Sequence, residues 1–361
     1  MAATHGVVKR LSALAPRRPP SVHGPLDREH RQTVLAVAGD RLARGRARLP
    51  RCDTRRVEFT SDGLPRDGVL RLRDGRALAY REWGNPVGAP VVFAHGTPAS
   101  RVWCPDPHQD ATQASAVRVI SVDRPGIGGS DVQLGLTVGG WASDVAELAD
   151  GLGLERFGVV GLSAGGPWAA ACAALIPERL TGVGIASSRA LAQFNLRERP
   201  QALEEFGEDD RHAFDLVREL GPEDAAKSLA AADEEWARGL FEHPEKSLDG
   251  FEPPEGDKWF FEDPLQVELL LEGRRESARQ GAVGFAWETV AIMQPWSFRL
   301  ADISIPVHLW HGGQDEHVPL ATQEFAAETI PNAHLTIWPD AGHRGMAKHW
   351  REVLEAVTAA R

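Results

Sequence analysis

The chain has 361 residues, 42% hydrophobic and 25% charged, with a formal net charge of −11. That balance suits a soluble globular protein, and an acidic chain is a poor match for nucleic acid. It holds no run of 18 apolar residues and no apolar leader near Met1, so neither a transmembrane helix nor a secretory signal is expected, and a cytoplasmic location is.

Charge is uneven along the chain. Residues 1–60 carry 13 Lys+Arg against 5 Asp+Glu, a net of +8 that leaves −19 for the remainder. Residues 1–66 are rich in Pro and Arg and lack a sustained helical or strand period, so they read as a disordered basic extension with one short helix over Glu29 to Ala43. The arm is a minor candidate for contact with an anionic partner. Cys52, Cys104 and Cys172 form no C-x-x-C pair and no metal spacing, which fits a reducing compartment. No metal, nucleotide or other cofactor is implied.

From Val69 a folded body begins, and residues 67–188 form its first part. Val69 to Tyr80, with Asp74-Gly75 at its centre, predicts a hairpin. Strands follow near 91–95, 117–122, 157–161, 180–187, 306–310 and 334–338, with amphipathic helices between them. Trp141, Val145, Leu148 and Leu152 share one face of the helix from Trp141 to Leu152. Met346, Trp350, Val353, Leu354 and Val357 do the same in the last helix. Alternating strands and helices predict a mostly parallel sheet covered on both faces. Residues 189–300 break the pattern. Strands vanish, and acidic helical stretches hold 25 acidic against 13 basic side chains. Trp236, Trp259, Phe260, Phe261, Trp287 and Trp296 lie in this insert, either as its core or as an apolar lining. Residues 301–361 return to the strand–helix pattern.

Four segments carry chemistry. Gly161-Leu162-Ser163-Ala164-Gly165 joins a buried strand to an Ala-rich helix, the setting of a nucleophile elbow, although the five-residue pattern alone is weak. Val91 to Pro98 reads as a buried strand ending in a Gly turn. His95 there is expected to brace the loop. Val307 to Pro319 is another buried strand that ends in Gly312-Gly313 and is followed by Asp315, with Glu316 as the alternative acid and His311 and His317 as structural residues. Leu335 to His343 runs from a strand into a turn, with Asp340 as a turn residue. The chain order Ser163, Asp315, His343 is that of a nucleophile, an acid and a base. A fifth segment, Ser121 to Ser130, contains Gly126-Ile127-Gly128. Asp131 stands where a dinucleotide fingerprint needs its third Gly, so Asp123 is read as ordering the turn.

These residues resemble the α/β-hydrolase superfamily from about Val69 to the C-terminus. The resemblance implies an eight-stranded, mostly parallel α/β-hydrolase sheet with helices on both faces and a helical cap at 189–300. It implies a bacterial serine hydrolase in which Ser163 attacks, His343 acts as base and Asp315 orients it. Thr97 and Ala164 would supply the oxyanion-hole N–H groups. Carboxylic-ester hydrolysis of a small or medium apolar substrate is the expected reaction. C–C or amide hydrolysis with the same triad is an alternative, as is a ligand-binding protein with silent chemistry. Dehalogenase and epoxide-hydrolase chemistry is excluded by Ser163 at the elbow, where those enzymes carry Asp. Leu162 and Ala164 depart from the Gly and Trp usual beside the nucleophile of proline iminopeptidases. The expected partner is a small-molecule substrate, with neither membrane nor nucleic acid, and the oligomeric state is not legible.

Overall fold

The computed structural model describes residues 65–359. Residues 1–64 of the basic arm, including the helix expected over Glu29 to Ala43 and Cys52, lie outside these residues, while Arg66 at the arm's end belongs to the first strand. Eight strands form one sheet: β1 (Arg66–Arg71), β2 (Ala77–Gly84), β3 (Ala89–Ala94), β4 (Val117–Val122), β5 (Phe157–Leu162), β6 (Leu180–Ala186), β7 (Val307–Gly312) and β8 (Ala333–Trp338). Their order is β1-β2-β4-β3-β5-β6-β7-β8. β1 pairs with β2, and β2 with β4, in antiparallel fashion; every other pair is parallel. β1 opens three residues ahead of Val69.

The apolar runs of β3, β4, β5 and β7 follow from burial on both faces. Because side chains alternate, each strand feeds two cores. Val92, Ile120, Val159 and Leu309 enter one hydrophobic cluster; Phe93, Val119, Val160 and Trp310 enter the other. In the second, Phe93 lies 5.9 Å from the ring of Trp103 and 5.8 Å from that of Trp350. Burying an aromatic side chain of this size contributes about 1.5–3 kcal/mol.

Eight helices of nine residues or more are described: α1 (Gly140–Gly151), α2 (Gly166–Leu175), α3 (Glu208–Leu220), α4 (Pro222–Glu242), α5 (Pro264–Ser277), α6 (Val283–Met293), α7 (Ala321–Thr329) and α8 (Trp350–Thr358). Trp141, Val145 and Leu148 are buried on α1, as its period requires. α3 to α6 all fall between β6 and β7, and no strand is assigned there. Of the six aromatic residues singled out in this insert, Phe260, Trp287 and Trp296 are buried, and Trp236, Trp259 and Phe261 are partly so. Cys104 and Cys172 are buried free thiols, each pushed up by that burial to about 12. No helix among the described residues is long and apolar enough to cross a membrane.

The chain runs from β3 out to β4 and then back to β5 on the other side of β3. Strand order reverses there, and the crevice outside the carboxyl ends of such strands is where open α/β sheets place their chemistry. Ser163 follows β5 at that crevice.

Candidate active site

Ser163 begins a short 3₁₀ turn between β5 and α2 and takes φ = 54°. A non-Gly residue in that left-handed region stores about 1–3 kcal/mol and persists only where its surroundings enforce it. The enforcement is visible at the flanking glycines. A Cβ on Gly161 would sit 2.5 Å from the Gly165 carbonyl oxygen, and one on Gly165 would sit 2.1 Å from that of Ala94. The turn is closed tightly against β3. Ser163 and Ala164 remain half-buried, while the residues on either side are buried. A Cβ on Gly96 would lie 3.4 Å from the Ser163 Cβ, so the loop after β3 faces the serine.

His343 lies in the loop after β8, and its Nδ1 is 2.9 Å from Asp315 Oδ2. The Asp315 side chain is fully buried, and its Oδ1 accepts the N–H groups of His317 (2.8 Å) and Val318 (2.9 Å). Burial pushes this carboxyl up, but the charge and hydrogen bond of His343 and the N–H of Val318 outweigh it and leave the group at about 2. An ionised Asp315 fixes the His343 tautomer with Nδ1 protonated, so Nε2 is the nitrogen able to take up a proton. The ring of His317 meets that of His343 edge-on at 5.3 Å, and burial draws His317 down to about 4. Burial likewise lowers His311. Asp340 faces outward and accepts from Lys348 at 2.7 Å.

The loop after β3 is anchored from beneath and from the insert. His95 is fully buried and held well below its ordinary range by burial and by Arg124; its neutral ring bonds the Gly96 carbonyl through Nδ1 at 2.7 Å. Arg124 donates Nη1 to the His95 carbonyl at 2.6 Å and Nη2 to Thr97 Oγ1 at 3.2 Å. Its Nε donates to Glu288 of α6. Thr97 Oγ1 donates to the other Glu288 oxygen at 3.0 Å. Glu288 is 4% exposed and Arg124 is fully buried. Asp123 accepts the Arg101 and Gly129 N–H groups at 2.6 and 2.8 Å and so orders its turn.

Asp257, also from the insert, is 2% exposed. It accepts the N–H of His343 at 3.0 Å on Oδ2 and that of Arg344 at 2.8 Å on Oδ1. Burial raises this carboxyl, with the backbone N–H of Arg344 the first influence opposing it. Asp257 and Glu288 are the residues that sequence reading missed. Each is one acid among 25 in the insert, and its partners lie 86 or more positions away. No group of three His, Cys, Asp or Glu side chains among the described residues could hold a metal ion.

The structure thus shows a strained serine at the switch point, beside a loop that a buried charge network holds, and it joins His343 to Asp315 by a hydrogen bond. The alpha/beta hydrolase family model matches residues 91–356. The chain belongs to the alpha/beta hydrolase family. It is 29% identical over 296 residues to a proline iminopeptidase of Xylella fastidiosa, covering 76% of this chain and 90% of that one. It is 27% identical over 288 residues to a non-heme chloroperoxidase of Streptomyces lividans, covering 78% and 95%. A solved thermophilic esterase from Thermogutta terrifontis superposes with a TM-score of 0.52 at 26% identity, covering 81% of this chain and 96% of that one. The protein is therefore a hydrolase-type enzyme.

Proposed function

We propose that the enzyme hydrolyses a carboxylic ester through an acyl-enzyme formed on Ser163. The observation that carries the reading is the buried Asp315–His343 hydrogen bond in a chain whose serine elbow has a positive φ. In this reading His343 Nε2 takes the Ser163 hydroxyl proton as Oγ attacks the substrate carbonyl, and Asp315 stabilises the imidazolium. The N–H groups of Thr97 and Ala164 receive the oxyanion, each worth about 3 kcal/mol. Collapse releases the alcohol with the proton from His343. Water, deprotonated by the same ring, then frees the acid. The insert at 189–300 serves as a cap over the site, and Thr97 is held in place through Glu288 of that cap. A small-molecule substrate is the expected partner, and the cytoplasm the expected location.

Intact-mass analysis after treatment with a fluorophosphonate tests this. One adduct, absent from Ser163→Ala, is expected, together with a loss of turnover of about a million-fold in that variant. An unreactive Ser163 would refute the reading and favour a ligand-binding role. Amide cleavage is a second reading, favoured by the iminopeptidase relative. Leu162 and Ala164 beside the nucleophile count against it, and a prolyl anilide turned over faster than any acyl ester would establish it.

A further inference from the structure

Two arginines, Arg344 next to His343 and Arg274 of the insert, have no carboxylate at ion-pair distance among the described residues. Arg274, on α5, is 2% exposed. Its Nη1 donates to Ser247 Oγ at 2.5 Å, and its Nε is buried without a hydrogen-bond acceptor. Arg344 follows His343 in the chain and is half-buried. Its guanidinium lies over the rings of Phe260 at 5.1 Å and Trp103 at 5.8 Å. The same Trp103 packs against α5, where a Cβ on Gly273 would approach its Cβ to 3.0 Å. The insert and the core thus bring the two guanidinium groups into one neighbourhood. Burial first, and then the charge of Arg344, pulls Arg274 down to about 9, which still leaves it protonated at neutral pH.

A buried charge without a counter-ion is costly, and proteins resolve the cost by pairing it. The nearby acids are already engaged. Asp257 spends both oxygens on backbone N–H groups, and Asp315 spends its own on His343 and on two more. Both still offset part of the Arg344 charge, but neither acts on Arg274, which is left as the cation without a counter-charge. We propose that Arg274 and Arg344 form an anion-binding site that receives a carboxylate carried by the substrate. Guanidinium offers a planar fork of donors that matches a carboxylate, and the aromatic rings around Arg344 shield the pair from water. The substrate class is then an ester bearing a free carboxylate on its acyl part. This inference rests on the hydrolytic reading of Ser163 for the reaction, but not for the binding.

Mono-p-nitrophenyl adipate and its methyl-masked neutral counterpart are the probes. Wild-type enzyme at pH 7 is expected to show kcat/KM at least about tenfold higher for the acid. In Arg274→Met the ratio of acid to neutral ester should fall by about 10- to 100-fold, the worth of a hydrogen bond to a charged group. A wild-type ratio of one or less overturns the site without any variant. Titration of monomethyl adipate into Ser163→Ala by calorimetry reads binding without turnover. Saturable binding that Arg274→Met abolishes supports the site even where fluorophosphonate labelling fails. Absence of binding overturns the site even where labelling succeeds.

Discussion

Replacing Asp257 with Asn should lower turnover while leaving substrate affinity nearly unchanged. The carboxylate accepts the N–H groups of His343 and Arg344, one on each oxygen. Asparagine keeps one acceptor and turns an amide NH2 toward the other N–H, so one charge-assisted bond is lost and a donor–donor conflict replaces it. Hydrogen bonds to charged groups contribute about 1.5–3 kcal/mol each. Removing a carboxylate that burial already disfavours offsets part of that loss. A net cost of about 2 kcal/mol at the His343 backbone corresponds to roughly 30-fold. If Asp257 positions His343, this cost falls on kcat, with KM close to wild type, and the fluorophosphonate labelling rate drops by the same factor. Stopped-flow labelling and steady-state ester hydrolysis measure the two. A variant that melts earlier yet labels and turns over at the wild-type rate would refute positioning and leave Asp257 as a purely structural tie.

Glu288→Gln leaves Arg124 fully buried with no ionised partner, a loss of about 3–5 kcal/mol. For a body of this size that lowers Tm by about 5–8 °C. The paired replacement Arg124→Met with Glu288→Leu should recover most of it, and calorimetry showing equal Tm for Glu288→Gln and wild type would exclude the network as a tie. His317→Gln should leave the acid limb of kcat/KM unmoved, because His317 is held at about 4 and is neutral wherever the enzyme works; a shifted limb would make His317 part of the proton inventory. Asp315 sits at about 2, below its ordinary 3.8. Its contribution of about 2 kcal/mol is present above pH 4 and is lost as pH falls through 2. Urea midpoints of Asp315→Asn should therefore fall less steeply between pH 4 and pH 2 than those of wild type, and parallel curves would contradict the assignment.

The sheet was legible because its central strands are buried on both faces, which writes runs such as Val91-Val92-Phe93-Ala94 directly into the sequence. β1 was less so. It is an edge strand whose residues alternate between half-buried and exposed, and Arg66 and Asp67 at its start look like loop residues until their antiparallel pairing with Arg81 and Glu82 is seen. Ser163, Asp315 and His343 are candidates in the sequence because each follows a predicted strand and their order is constrained. The hydrogen bond between Asp315 and His343 is not legible there, since the two stand 28 positions apart with a helix and a strand between them.

The insert was read from its composition, as a helical region with a solvated acidic face. An average over 25 acids cannot say which of them turn inward, and the inward ones organise the site. Glu276 reaches Arg101 at 2.7 Å, Glu288 reaches Arg124 and Thr97, and Asp257 reaches the His343 backbone. Glu276 and Glu288 both reach the loop after β3, Glu288 also reaches the loop after β4, and Asp257 reaches the loop after β8. Docking of the insert is therefore expected to be coupled to the placement of these loops. Substitutions at these contacts, far from Ser163 in sequence, should act on the loop after β3 and on His343 together, whereas changes to the outward acids of α3 should not.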